Sequence, residues 1–112
     1  MEDKVLFKKI ERLRKKGLGS CLATIVKTQG STPRDVGAKM LVTVNSEFYG
    51  SIGGGCGEKQ VFSAALRCLL VSKQPELVNV DLTDDLGIKG GDVCGGKIQV
   101  FVEPFFPAEK QT

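Results

Sequence analysis

The sequence contains no histidine and no tryptophan, and only one tyrosine among 112 residues. The missing histidines exclude Ser-His-Asp and Cys-His catalysis, His-ligated zinc and an imidazole pH switch. Long apolar runs are absent too: none approaches the ~20 residues needed to cross a bilayer, so no membrane partner is expected. The N-terminus is basic and amphipathic without an apolar stretch and a small-residue cleavage site, so a secretory signal peptide is not expected. Four cysteines are present, Cys21, Cys56, Cys68 and Cys94, and no pair has C-x-x-C spacing. That argues against a zinc ribbon or a thioredoxin motif. The aromatics are six Phe and one Tyr, of which only Phe7 falls within the basic run, so stacking platforms for nucleic acid are not expected either.

The composition that remains is 41% hydrophobic and 26% charged, as in an ordinary soluble domain. Residues 1–112 read as one domain. At this size folding buries about 65% of the surface an unfolded chain exposes, enough for one core without disulfide staples. A reducing, cytoplasmic location is the expectation. The net charge is +3, but residues 1–17 carry seven basic and three acidic side chains, so that segment is +4 and residues 18–112 sum to −1. Leu6, Ile10, Leu13 and Gly17 share one face at helical spacing. The basic residues are either the solvated face of a core-packed helix or a docking face for an acidic partner or nucleic acid, the latter disfavoured by the scarcity of aromatics.

Gly17-Leu18-Gly19-Ser20 stops this helix. Residues 21–28 read as a buried strand and residues 29–37 as a loop. Residues 39–44 and 47–51 flank a short hairpin connection at Asn45-Ser46. Residues 58–72 read as a helix, with Val61, Ala65, Cys68 and Leu69 on one face and Phe62, Leu66 and Leu70 beside it. Residues 77–82 alternate as a strand, and so do 97–103. Residues 83–96 read as a loop, and Pro104 begins a tail. The order predicts an α+β fold: a small mixed sheet of about five strands with two main helices packed on it.

Eight of the 14 glycines lie in two loops, at 53–55 and 57 and at 90–91 and 95–96. A third loop carries Gly30-Ser31-Thr32-Pro33-Arg34. Glycines let backbone N–H groups approach a ligand closely. Gly53, Gly54, Gly55 and Gly57 precede a helix N-terminus, an arrangement that favours an anion, although a tight turn without ligand is the plainer reading. The Lys-Ser/Thr pair of a P-loop is missing, and so is the third glycine of the dinucleotide fingerprint. Arg34 beside the hydroxyls of Ser31 and Thr32 suits a phosphate, or is simply a surface residue after a turn proline. Glu58 either complements the helix dipole or belongs to the site. Cys21 and Cys68 read as core packing. Cys56, at a helix N-terminus, is a candidate nucleophile or soft metal ligand, because a helix dipole stabilises thiolate. Cys94, with Gly95 and Gly96, is a weaker candidate of the same kind. Both thiols also fit as inert loop residues.

Three runs, TIVKTQGSTPRDVGAKMLV, GSIGGGCGE and VCGGKIQVFVEP, resemble the N-terminal domain of the XdhC/CoxI family over about Ser20 to Pro104. These are accessory proteins for xanthine dehydrogenase and related molybdenum hydroxylases. The resemblance implies binding of the molybdenum cofactor, its protection during sulfuration, and its delivery to an apo-enzyme, without catalysis. The implied partners are a xanthine dehydrogenase-like apo-enzyme and a cysteine desulfurase, and a homodimer is expected. Molybdopterin is anionic at its phosphate and soft at its metal, so backbone N–H groups or Arg34 suit one end and Cys56 the other, as a molybdenum or sulfur contact. Family members typically continue into a Rossmann-like domain. The expectation here is a short member, or one whose other half is a separate chain. Where the family commonly has a bulky aliphatic residue after the loop cysteine, this chain has Gly57, which predicts a looser helix start. Two other readings remain at this point: a thiol-based redox enzyme using Cys56 and Cys94, and a structural subunit paired with a separate Rossmann chain.

Overall fold

A computed structural model describes residues 2–52, 57–82 and 95–107. The elements are α1 (Asp3–Lys15), β1 (Ser20–Gln29), β2 (Lys39–Thr43), β3 (Phe48–Gly50), α2 (Glu58–Arg67), β4 (Glu76–Asp81) and β5 (Lys97–Phe105). The five strands form one sheet in the order β3-β2-β1-β5-β4. This is the expected α+β architecture, but every pairing is antiparallel rather than mixed. The reason is the route of the chain. The one helical crossover, β3–α2–β4, runs from one sheet edge to the other, so the strands it joins never become neighbours.

Alternation along the strands divides the core in two. Cys21, Ala23, Ile25, Met40, Val42, Val80, Ile98, Val100 and Val102 face α2 and pack on Val61, Ala65, Cys68 and Leu69. The opposite face gives a smaller cluster, in which Leu22 and Leu41 meet Leu6 and Ile10 of α1, flanked by Leu13, Tyr49 and Phe105. The helical spacing of Leu6, Ile10 and Leu13 is thus used as expected. Helix α1 covers only part of its face. Leu77 of β4 is 58% exposed there, and beyond it the strands turn polar.

Three local features differ from the expected elements. Helix α2 ends at Arg67, and Cys68–Ser72 is a π-helical turn. Its wide closure, Lys73 N–H donating to the Cys68 carbonyl at 2.7 Å, lets the adjacent residues Cys68 and Leu69 both point into the core. Leu70 and Val71 are left exposed. Strand β5 runs through Pro104 to Phe105. The last β4–β5 pair is Glu76↔Val102, so Pro104 has a neighbouring strand on one side only, where a missing N–H is tolerated. Finally, β1 has a bulge between Ile25 and Lys27. The extra residue, Val26, is 41% exposed, and the bulge bends the strand just before the Gly30 loop.

Candidate functional site

The described residues at the ends of the glycine-rich segments meet at one end of the sheet. Pairing of β1 with β5 sets Gln29 opposite Lys97, so the loops that follow β1 and precede β5 start side by side. Gly96 lies directly against the backbone of Gln29 and Ser31, leaving no space for a β-carbon. A β-carbon on Gly30 would come within 3.2 Å of the Gly96 Cα. Leu82 N–H donates to the Gly96 carbonyl at 3.0 Å, fixing the exit of β4 to the same point.

The segment around α2 joins them from the other side. Arg34 Nη1 donates to the Ser51 carbonyl at 3.3 Å. Ser51 Oγ donates to Glu58 Oε2 at 2.6 Å, a clasp that brackets residues 52–57 between strand and helix. Gly57 caps α2 in the left-handed region at φ +77°, and Val61 N–H donates to its carbonyl at 3.0 Å. Gly57 is buried, and a β-carbon there would strike the Leu82 side chain. The expected looseness of the helix start is therefore not found: at this position glycine permits tight packing on Val80 and Leu82.

Of the residues expected from sequence, Ser31, Thr32, Arg34, Gly57, Glu58, Gly95 and Gly96 are described, and they border this one region. Gly53, Gly54, Gly55, Cys56 and Cys94 lie outside the described residues. Ser31 to Asp35, with Thr28 and Gly30, line an open hollow of about 470 Å³. Arg34 is exposed. Thr32 Oγ1 donates to the Arg34 carbonyl at 3.1 Å, so its proton holds the turn. Of the two hydroxyls, the exposed Ser31 is the one placed to donate to an anion. Glu58 supplies a negative charge in the first turn of α2, as expected for dipole complementation, and one of its oxygens is engaged by Ser51.

The sequence did not point to Ser51 or Gln29, and it marked Gly30 only as part of its loop. Ser51 acts through its carbonyl and its hydroxyl together, which no motif records. The paired glycines at 30 and 96 were the available signal, because two backbones approach this closely only where a side chain is missing. Cys21 and Cys68 are core residues as expected, both fully buried. Burial pushes the Cys21 thiol well up, and neighbouring Cys68 and Glu103 add to it, so this thiol stays protonated. Among the described residues, no three His, Cys, Asp or Glu side chains group as metal ligands, and no helix is long and apolar enough to cross a membrane.

Comparison with known proteins adds to this geometry. The sequence model of the XdhC and CoxI family matches residues 13–81. The chain is 32% identical over 97 residues to the uncharacterized protein YqeB of Escherichia coli (strain K12), covering 87% of this chain and 18% of that protein. It is 40% identical over 86 residues to a probable xanthine dehydrogenase subunit of Bacillus subtilis (strain 168), covering 73% of this chain and 25% of the other. The chain thus spans a quarter or less of the curated relatives it matches. A crystal structure of a xanthine dehydrogenase from Bacillus halodurans superposes with a TM-score of 0.70 at 32% identity, over 87% of this chain and 29% of the other.

Proposed function

The chain belongs to the XdhC and CoxI family, and from that membership we propose that it is an accessory factor that binds the molybdenum cofactor as cargo. It holds the cofactor through sulfuration and delivers it to a xanthine dehydrogenase-like apo-enzyme in the cytoplasm, with a cysteine desulfurase as the sulfur source. Its role on this reading is to hold and hand over, without a reaction of its own. The wider connection to xanthine dehydrogenase is carried by the named relatives.

The observation that supports the reading best is the convergence of described residues from the three motifs, through Gly30 on Gly96, Arg34 on Ser51 and Gly57 on Leu82. An anionic cargo fits this region. Arg34 offers a guanidinium at the rim of the hollow and Ser31 a hydroxyl, so these two would hold the phosphate. The Ser51–Glu58 hydrogen bond joins the residues on either side of Cys56 in sequence, and Cys56 would serve the metal or sulfur end of the cargo.

The test is molybdenum content of protein purified from cells grown with and without molybdate. Wild type should retain molybdenum and the absorption of the cofactor. Arg34→Gln should keep the fold and lower retention about tenfold, the scale of a lost charge-assisted hydrogen bond. Cys56→Ser should lose most retention or transfer. Iodoacetamide should alkylate Cys56 well before the buried Cys68, and bound cargo should protect it. Wild-type protein without molybdenum under both conditions would remove the reading. If it instead exchanged disulfides in a Cys56-dependent way, the thiol-enzyme reading would take its place.

A further inference from the structure

Helix α1 buries Leu6 and Ile10 against the sheet, so its opposite side is open to solvent. Lys4, Lys8 and Arg12 recur there at four-residue spacing, and Lys15 follows one turn on. All four are exposed. They form a stripe of cations about 6 Å apart along the helix. The other charged side chains of α1 are occupied. Lys39 Nζ reaches Asp3 Oδ2 at 3.2 Å. Arg14 reaches Glu11 at 3.5 Å and the Phe106 carbonyl at 3.1 Å, and Lys9 lies over the Tyr49 ring. Lys4, Lys8, Arg12 and Lys15 have no ion pair among the described residues. Like charges at i and i+4 repel, so the stripe costs the helix stability. Two exposed apolar side chains flank it, Phe7 at 50% on one side and Val5 at 43% on the other.

We infer that this face of α1 is a docking surface for the acidic surface of another protein. Complementary charge steers such an encounter and fixes its register. Phe7 and Val5 give a protein partner apolar contacts at the margins, which a phosphate backbone does not use. The positive charge is also local. Residues 1–17 are +4 and the remainder sums to −1, so there is no wider basic surface for a nucleic acid to follow. A second copy of this chain is a poor match for the same reason, because the remainder holds too little acidic excess to balance +4. A lipid surface is not served either. An interfacial helix inserts its apolar face, and here Leu6 and Ile10 are held against Leu22 and Leu41. The stripe begins beside the candidate site, since Asp3 and Arg34 line one hollow of about 340 Å³. A partner seated on α1 is thus next to Arg34.

The experiment titrates the whole chain with three probes: a labelled helical peptide with Glu at every fourth position and Leu beside it, duplex DNA, and phosphatidylserine vesicles. Wild type should bind the peptide in the micromolar range at low salt and about tenfold more weakly at high salt. DNA and vesicles should bind at least about tenfold more weakly than the peptide. Lys8→Glu should weaken peptide binding about tenfold. The same change replaces two repulsive pairs, with Lys4 and Arg12, by attractive ones, so its melting temperature should rise by about 2–5 °C at low salt. A lysine kept for stability would move it the other way. Phe7→Ser should weaken the peptide about threefold with its circular dichroism unchanged. Failure of the peptide to bind, or binding that Lys8→Glu leaves unchanged, overturns the docking surface. DNA or vesicles binding as tightly as the peptide, or a Phe7→Ser protein that binds it like wild type, overturns the choice of a protein partner. Molybdenum retention by Lys8→Glu should equal that of wild type, so the docking surface and the cargo reading fail separately. A Lys8→Glu protein that loses molybdenum would place the stripe in the cargo site instead and overturn the inference.

Discussion

Gly57 and Gly96 are held by opposite constraints, and each makes a prediction. At Gly57 a β-carbon meets a side chain, that of Leu82, and the backbone is left-handed. Gly57→Ala should therefore cost about 1–3 kcal/mol in denaturant unfolding through overpacking and a strained φ. At Gly96 the obstruction is the backbone of Gln29 and Ser31, which cannot rotate away. Gly96→Ala should separate the two loops and reduce cargo retention by more than its effect on stability explains. An alanine at 96 that binds like wild type would show that the loops need not touch.

Cys21 gives a pH signature at the same scale. Its thiol is raised from an ordinary value of 9.0, first by burial and then by Cys68 and Glu103. The folded state then holds its proton more tightly than the unfolded state does. The resulting stability is fully present below the unfolded thiol's value and is lost as pH rises above 9.0 toward the folded value. The melting temperature of wild type should fall above pH 9.0, and Cys21→Ala, though less stable overall, should show a shallower fall.

At the scale of elements, the two helices play unequal parts. Helix α2 closes a core that reaches across β1, β2, β4 and β5, while α1 seals a smaller cluster around Leu22 and Leu41. Leu6 and Val61 are both fully buried. Leu6→Ala should cost about 2–5 kcal/mol, as for other buried leucines, and Val61→Ala should also destabilise. Only Val61→Ala should disturb the site as well, since α2 begins at Gly57 and carries Glu58. Cargo binding measured under fully folded conditions distinguishes them.

How much of this could be read from sequence differs by element. The α2 face at Val61, Ala65, Cys68 and Leu69 and the strand alternation at residues 77–82 and 97–103 were legible, because burial repeats at the period of the local structure. The π-helical turn was not, because its wide closure, Lys73 N–H to the Cys68 carbonyl, leaves no mark in the spacing of apolar residues. Pro104 suggested the end of a strand, and only the length of β4 shows why it is tolerated. The three motifs were visible as motifs. That Gly30 lies on Gly96 depends on β1 pairing with β5, and no local pattern encodes that pairing.

At the scale of the whole molecule, the positive charge and the candidate site are carried by different elements. The basic excess belongs to the α1 segment, where Lys9 lies over the Tyr49 ring, 4.1 Å from its centroid. Replacing Lys8, Lys9, Lys15 and Lys16 with Gln should leave cargo binding within about twofold of wild type, since none of the four lines the hollow beside Arg34 and exposed charges are screened by salt. Docking to an acidic partner is where a loss would register. The sheet has two edges, the three residues of β3 and the six of β4. Edges of this kind are commonly covered, and the exposed Leu77 adds an apolar side chain beside one of them. A homodimer remains our expectation on symmetry grounds. Light scattering should give twice the chain mass of 12.0 kDa, and a monomer across a broad concentration range would contradict it.

The pairing of β1 with β5 has a kinetic side. Partners from Ser20↔Phe105 to Gln29↔Lys97 are 85 to 68 positions apart, yet they form the middle of the sheet. Loop-closure entropy opposes such contacts until the intervening chain has condensed, so folding should be slow for a domain of this size, in milliseconds to seconds. During synthesis, β1, β2 and β3 emerge long before β5 can join them. Until then Gln29 and Ser31 lack the Gly96 backbone they lie against. On the cargo reading proposed above, capture would be tied to completion of the domain: an emerging chain has its arginine early but would not grip the cofactor until β5 is in place.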